Sequence, residues 1–246
     1  MGEPVVVSPA DGIGAIRIAR PEKKNALTTA MYDSLIAALA TFDADDTIRV
    51  VTLRGGDNFT AGNDLRDFLA HEFDFESAPP IRFLRALRAF SKPIVVAVRG
   101  AAIGIGTTML LHCDCVLASD GATFALPFAK LGLVPEGAST LLLPRFAGIA
   151  RASWYLMSGE SFDAGTAAEM GLVAKVVPDD ELDKATDAVA AQLAHLPPGA
   201  LRETKRLLHH PLDAAVDDAM RRETACFLEL LKSAEFREAA SKLLSR

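Results

Sequence analysis

The segment KPIVVAVRGAAIGIGTTMLLHCDCVLASD, residues 92–120, reads as a buried strand delivered directly into the N-terminus of a helix. Residues 94–98 are β-branched apart from one alanine and are bounded by Pro93 and Gly100, the pattern of a strand covered on both faces. Gly100, Gly104 and Gly106 then let backbone approach backbone or ligand closely, and residues 107–112 continue as an apolar helical segment. Amide N–H groups at such a junction lack intrahelical acceptors, and the helix dipole adds partial positive charge. The junction therefore suits an oxygen that carries or acquires negative charge. The same residues equally describe a tight strand-to-helix turn packed in a core. Two nucleotide-binding patterns are excluded: GIGTTM lacks the last glycine of GxGxxG, and no lysine follows these glycines as a phosphate loop requires.

A second stretch, NFTAGNDL at residues 58–65, lies after another apolar strand at 48–53. A third, ARPEKKNALT at residues 19–28, holds the only dense basic cluster in the first third of the chain, Arg20, Lys23 and Lys24, which by itself describes a solvated loop. Together the three stretches resemble the enoyl-CoA hydratase/isomerase, or crotonase, family. Its patterns R-P-x-K-x-N-A-L, F-x-A-G-x-D-[LI] and V-x-G-x-A-x-G-x-G are met by Arg20 to Leu27, Phe59 to Leu65 and Val98 to Gly106. The resemblance implies an α/β fold with a crotonase-like spiral of ββα turns over residues 1–195, carrying an acyl-CoA site, and a C-terminal helical oligomerisation region over 196–246. It implies that the backbone N–H groups of Asn63 and Ile105 form an oxyanion hole for a thioester oxygen. CoA would run along the first loop, with Lys23 and Lys24 at its phosphates, Ala26 at the thioester arm, and Ala61, Asp64 and Leu65 of the second motif beside it. CoA is then part of the substrate and no separate cofactor is needed. Family members assemble as trimers or hexamers.

Family hydratases use two glutamates, one two residues after the Gly-x-Gly turn and one just after the proline of an F-x-x-P segment. Thr108 and Phe128 stand there in this chain, so the pair that would activate water is missing. A different carboxylate, Glu136, follows in LGLVPEGASTLLLPRFAG. The PEG-A/G-S/T arrangement resembles that of Δ3,Δ2-enoyl-CoA isomerases, where this glutamate is the acid/base. One carboxylate suffices for that reaction: it takes a proton from C2 of a 3-enoyl-CoA and returns it at C4 while the hole holds the dienolate oxygen. Taken alone, Glu136 also fits an exposed loop residue or a carboxylate at a helix N-terminus. An apolar wall of Leu126, Phe128 and Leu133 would favour the isomerase. A solvent path to Glu136 would favour a hydratase, and a blocked site an acyl-CoA-binding member without catalysis.

The rest of the chain sets the frame. Its 246 residues suffice for one large core, and Lys+Arg 26 against Asp+Glu 32, a formal charge of −6 with no basic tail, argues against a nucleic-acid partner. Three cysteines make no disulfide framework and fit a reducing cytoplasm. The first ten residues do not form a signal peptide, and no apolar run approaches the ~20 residues of a membrane span. Residues 5–7 and 13–18 read as a hairpin around Pro9, Ala10, Asp11 and Gly12, and Thr28 or Thr29 caps a helix to about Phe42. Asp64 reads as the N-cap of a short helix more readily than as a catalytic acid. Residues 71–80 read as a loop or lid. Helix 81–90 turns Leu84 and Leu87 inward and Arg82, Arg85 and Arg88 outward. Neighbouring His112, Cys113, Asp114 and Cys115 cannot all point at one ion, so no metal site is expected. Asp163 caps another short helix, and residues 172–177 form a last strand. From Asp179 onward the pattern is helical, with Phe236, Lys242 and Arg246 as candidates for reaching a neighbouring subunit's CoA.

Overall fold

The computed structural model describes residues 4–70, 74 and 77–244. Strands β1 (Val5–Ala10) and β2 (Ile13–Ile18) form an antiparallel hairpin. The sequence places Pro9 and Ala10 in its turn; instead they pair with Gly14 and Ile13, because Asp11 and Gly12 at φ 51° and 79° close the hairpin in two residues. The other strands are β3 (Val50–Arg54), β4 (Ile94–Val98), β5 (Ala101–Ile103), β6 (Cys115–Ser119), β7 (Thr123–Ala125), β8 (Ser161–Asp163) and β9 (Lys175–Val177). The helices are α1 (Thr29–Ala44), α2 (Leu65–Leu69), α3 (Pro79–Ala89), α4 (Ile105–Thr108), α5 (Ser139–Ala147), α6 (Ile149–Ser158), α7 (Ala164–Glu169), α8 (Leu182–Ala194), α9 (Pro198–His209), α10 (Asp213–Leu230) and α11 (Ala234–Leu244).

Two sheets result, one in the order β1-β2-β3-β4-β6-β9 and a small one in the order β5-β7-β8. From β2 onward the large sheet is parallel. β4 and β6 each send the chain from the large sheet into the small one, at β5 and β7. The β3 turn does the same through a single bridge, Thr60 to Ala102. Successive ββα turns therefore stack in one order in both sheets, which is the expected spiral. All five residues of β4 are buried because the large sheet is covered twice: Ile94, Val96 and Val98 face the main core, while Val95 and Ala97 face α8 through Leu182, Ala190 and Ala194.

The C-terminal helices fold back on their own chain. α10 packs against α5, and α11 against α2 and the turn at residues 129–131. Phe236 is fully buried in the chain's own core, so it cannot reach a neighbouring subunit. Lys242 is ion-paired with Glu238, and Arg246 lies outside the described residues. Arg88, expected on a solvated face, instead inserts between α9 and α10, donating to Asp213 Oδ1 at 2.6 Å and the His209 carbonyl at 3.0 Å. Among the described residues no helix is long and apolar enough to cross a membrane.

Candidate active site

Three loops meet where the sequence motifs converge. Leu27 N–H donates to the Gly62 carbonyl and Asp64 N–H to the Leu27 carbonyl, both at 2.8 Å, while Thr60 and Ile103 exchange bonds with β5 and the second loop. The two glycine-bearing loops touch backbone to backbone: a Cβ on Gly62 would sit 2.8 Å from the Ile103 carbonyl oxygen, and one on Gly106 2.6 Å from Thr60 Cγ2. Asn63 and Ile105 border the same cavity, and among the described residues neither amide N–H has a hydrogen-bond acceptor. Asn63 is fixed by its side chain, whose Oδ1 accepts from the Tyr32 hydroxyl. Burial first, and then the nearby carboxylates of Glu136 and Asp67, push the Tyr32 phenol upward, so it remains a donor.

Arg20 and Asn25 of the first motif turn out to be structural. Arg20 donates to the Ala26 carbonyl at 3.0 Å and to Asp64 Oδ2 at 2.7 Å. Asn25, buried, accepts from Arg20 N–H and donates to the carbonyls of Asn58 and Phe59. Asp64 Oδ1 caps α2 by accepting from the amides of Arg66 and Asp67, so both its oxygens are engaged and its pKa is lowered despite partial burial. This clamp leaves Lys23 and Lys24 exposed at the loop's tip, with no ion-pair partner among the described residues. Ala26 and Leu65 are half-buried beside it, and Ala61 and Leu65 line the cavity.

Glu136 is buried in the turn ahead of α5, at 3% exposure. Its Oε1 accepts from the Thr108 hydroxyl at 2.5 Å, and its Oε2 is buried with no hydrogen-bond partner among the described residues. Burial pushes its pKa up to about 8, opposed by the Thr108 bond and reinforced by the charge of Glu223. Thr108, at a position where a hydratase carries a carboxylate, thus holds the single glutamate instead. Phe128, at the other position, lines the cavity with Leu133, Phe68, Phe227, Phe236 and Leu243. Leu126 is buried in the core and does not line it. The cavity is about 140 Å³, and Glu136 is not in its wall. Ligand pockets generally exceed roughly 300 Å³, so this cavity is small beside them. Half of the 71–80 stretch read as a lid lies outside the described residues, Asp74 and residues 77–80 being described; Ser77 and Asp74 bond each other there.

His112 and Asp114 point apart. His112 Nε2–H donates to the Gly137 carbonyl at 2.7 Å, whereas Asp114 accepts from Ile94 N–H and Lys205. Sequence reasoning missed Tyr32 and Glu223. Tyr32 lies on the apolar stripe of α1 and carried no signal. Glu223 interrupts the stripe Val216, Met220, Thr224 and Phe227 of α10, and a charge at a core position of a helix is a readable sign.

The chain matches the family model described as Enoyl-CoA hydratase/isomerase over residues 9–245. It is 38% identical to enoyl-CoA delta isomerase 2 of Homo sapiens over 213 residues, 84% of this chain and 54% of that protein, and so spans about half its length. A probable enoyl-CoA hydratase of Rhodobacter capsulatus is 34% identical over 241 residues, 96% of this chain and 93% of that one. The crystal structure of an enoyl-CoA hydratase/isomerase from Pseudoalteromonas atlantica T6c superposes with a TM-score of 0.94 at 43% identity, covering 99% of this chain and 97% of the other.

Proposed function

The chain belongs to the enoyl-CoA hydratase/isomerase family and has its crotonase fold, and from that premise we propose that it is a Δ3,Δ2-enoyl-CoA isomerase working through Glu136. The observation that carries this reading is the state of the buried glutamates. Only two are buried among the described residues, and Glu223 has both oxygens engaged, which leaves Oε2 of Glu136 as the one carboxylate oxygen of the pair without a partner. A pKa near 8 is close to operating pH, where a group both takes and returns a proton efficiently. Thr108 holds Oε1 and leaves Oε2 for the transfer from C2 to C4. The N–H groups of Asn63 and Ile105 receive the dienolate oxygen, and CoA lies along the first loop with its phosphates at Lys23 and Lys24. A hydratase would need a second carboxylate to orient water, and Thr108 and Phe128 supply none. The working form is a cytoplasmic homotrimer or hexamer.

Relatives carry both activities in their names, so the test offers the purified protein 3-enoyl-CoA and 2-enoyl-CoA in parallel. The expected result is rapid positional isomerisation and slow hydration. Glu136→Gln should then lower isomerisation by ~10²–10⁴-fold with acyl-CoA binding retained. Efficient hydration with the 3-enoyl isomer ignored would overturn the isomerase reading. Binding without turnover of either thioester would identify an acyl-CoA-binding protein that lacks catalysis.

A further inference from the structure

Glu223 is the buried carboxylate that the isomerase chemistry leaves unused. It sits on α10 among Val216, Ala219, Met220, Thr224 and Phe227, all buried, where helical spacing calls for an apolar side chain. A carboxylate there is costly unless donors meet it, and three do. Ala138 N–H donates to Oε2 at 2.6 Å, Thr140 N–H donates to Oε1 at 2.9 Å, and the Thr140 hydroxyl donates to Oε1 as well. These donors favour the ionised form, while burial, the larger effect, raises the Glu223 pKa above its usual value.

The two amides belong to the turn that presents Glu136. Gly137 and Ala138 there have φ of 73° and 56°, and a non-glycine residue in this left-handed region costs about 1–2 kcal/mol, so surrounding contacts must hold it. Ser139 N–H and Oγ bind the Glu136 carbonyl from within the turn, and His112 binds the Gly137 carbonyl. Glu223 alone grips the turn's outward amides.

We propose that Glu223 is the positioning residue for Glu136: by clamping the amides of Ala138 and Thr140 it fixes the turn so that the Glu136 carboxyl stays against Thr108. The same carboxylate adds to the electrostatics of the site, where burial is the larger effect. Among the described residues, the titratable groups around the Glu136 turn are Tyr32 on α1, His112 in the turn after α4, and Glu223 on α10. Tyr32 stays protonated, and burial pushes His112 down to about 4, so both are neutral at pH 7. Glu223 is the neighbour whose charge, when it is ionised, opposes ionisation of Glu136; burial raises its own pKa, opposed by its bonds to Thr140 and Ala138 and by Arg222.

The inference rests on Glu136 as the acid/base, so its test has one arm that needs no turnover. In Glu223→Gln the side chain keeps its size but loses its charge and one of its acceptor oxygens. With 3-enoyl-CoA, kcat should fall about tenfold or more with KM little changed, as misplacement of a catalytic group does. The acid limb of the pH profile should move to lower pH, because a like charge has been removed; a merely structural loss would not move it. The second arm is thermal. Glu136→Gln should raise Tm more at pH 8 than at pH 5, and this difference should shrink when Glu223→Gln is already present. Shrinkage without isomerisation by the wild type would sustain the clamp and overturn the isomerase reading. An unmoved acid limb together with an unchanged thermal difference would overturn the clamp. Should Glu223→Gln not fold, Glu223→Asp retains the charge on a shorter arm: a lowered kcat with the acid limb in place is expected, and a wild-type kcat overturns the proposal.

Discussion

Glu136 is a group whose usefulness and cost have one origin. Burial raises its pKa from 4.5 to about 8, which suits proton transfer, and the same shift links stability to pH. A carboxyl raised in the folded state contributes stability that is fully present below its unfolded pKa. That contribution is lost progressively as pH rises from about 4.5 through about 8. The fold thus carries a penalty at neutral pH of the order of a few kcal/mol. Glu136→Gln removes the titration, keeps an oxygen for Thr108, and leaves its amide N–H₂ where Oε2 had no partner. That unmet donor adds a cost independent of pH, so the comparison across pH isolates the charge. The expected outcome is a Tm difference, variant minus wild type, that grows by roughly 5 °C or more between pH 5 and pH 8. A difference that is flat with pH would mean that Glu136 titrates as an ordinary surface carboxylate in the folded protein.

At the scale of elements, the long strands and the capped helices could be read directly because each carries its own local signal. β4 has its β-branched run, α1 its Thr28 cap, and α2 and α7 their aspartate caps. The small sheet could not be read, since β5, β7 and β8 have three residues each and show no period. Nor could the first motif be decoded by proximity. Arg20 and Asp64 are 44 positions apart, and only the folded chain shows that the fixed arginine and asparagine hold two loops together while the lysines between them stay free. That division of labour has a consequence for binding. The clamp presents Lys23 and Lys24 on a rigid tip, so replacing both with Ala should weaken CoA binding and flatten its dependence on ionic strength, while leaving Tm near the wild-type value. Binding at low salt that is unchanged in the double variant would move the CoA phosphates to another part of the surface.

Across the whole molecule, the helices after α8 face two ways. α10 and α11 close over the chain's own cavity through Phe227, Phe236 and Leu243. Elsewhere the surface leaves apolar side chains uncovered: Trp154 and Met157 are 58% and 75% exposed, and a spacing of three places them on one face of α6, with Phe146 of the neighbouring α5 also exposed. Large apolar side chains grouped on a surface are one signature of contact with another protein. If copies of this chain meet there, the single tryptophan makes the contact observable, because all indole fluorescence comes from that face. The intact assembly should emit at the short wavelength of a shielded indole, and Met157→Asp should shift emission to the red and reduce the size of the particle in sedimentation. A wild-type protein that sediments as a monomer, or a Trp154 whose emission is that of solvated tryptophan in a stable oligomer, would place the subunit contact on a different face, with the exposed Leu207 and Leu208 of α9 the next to be tested.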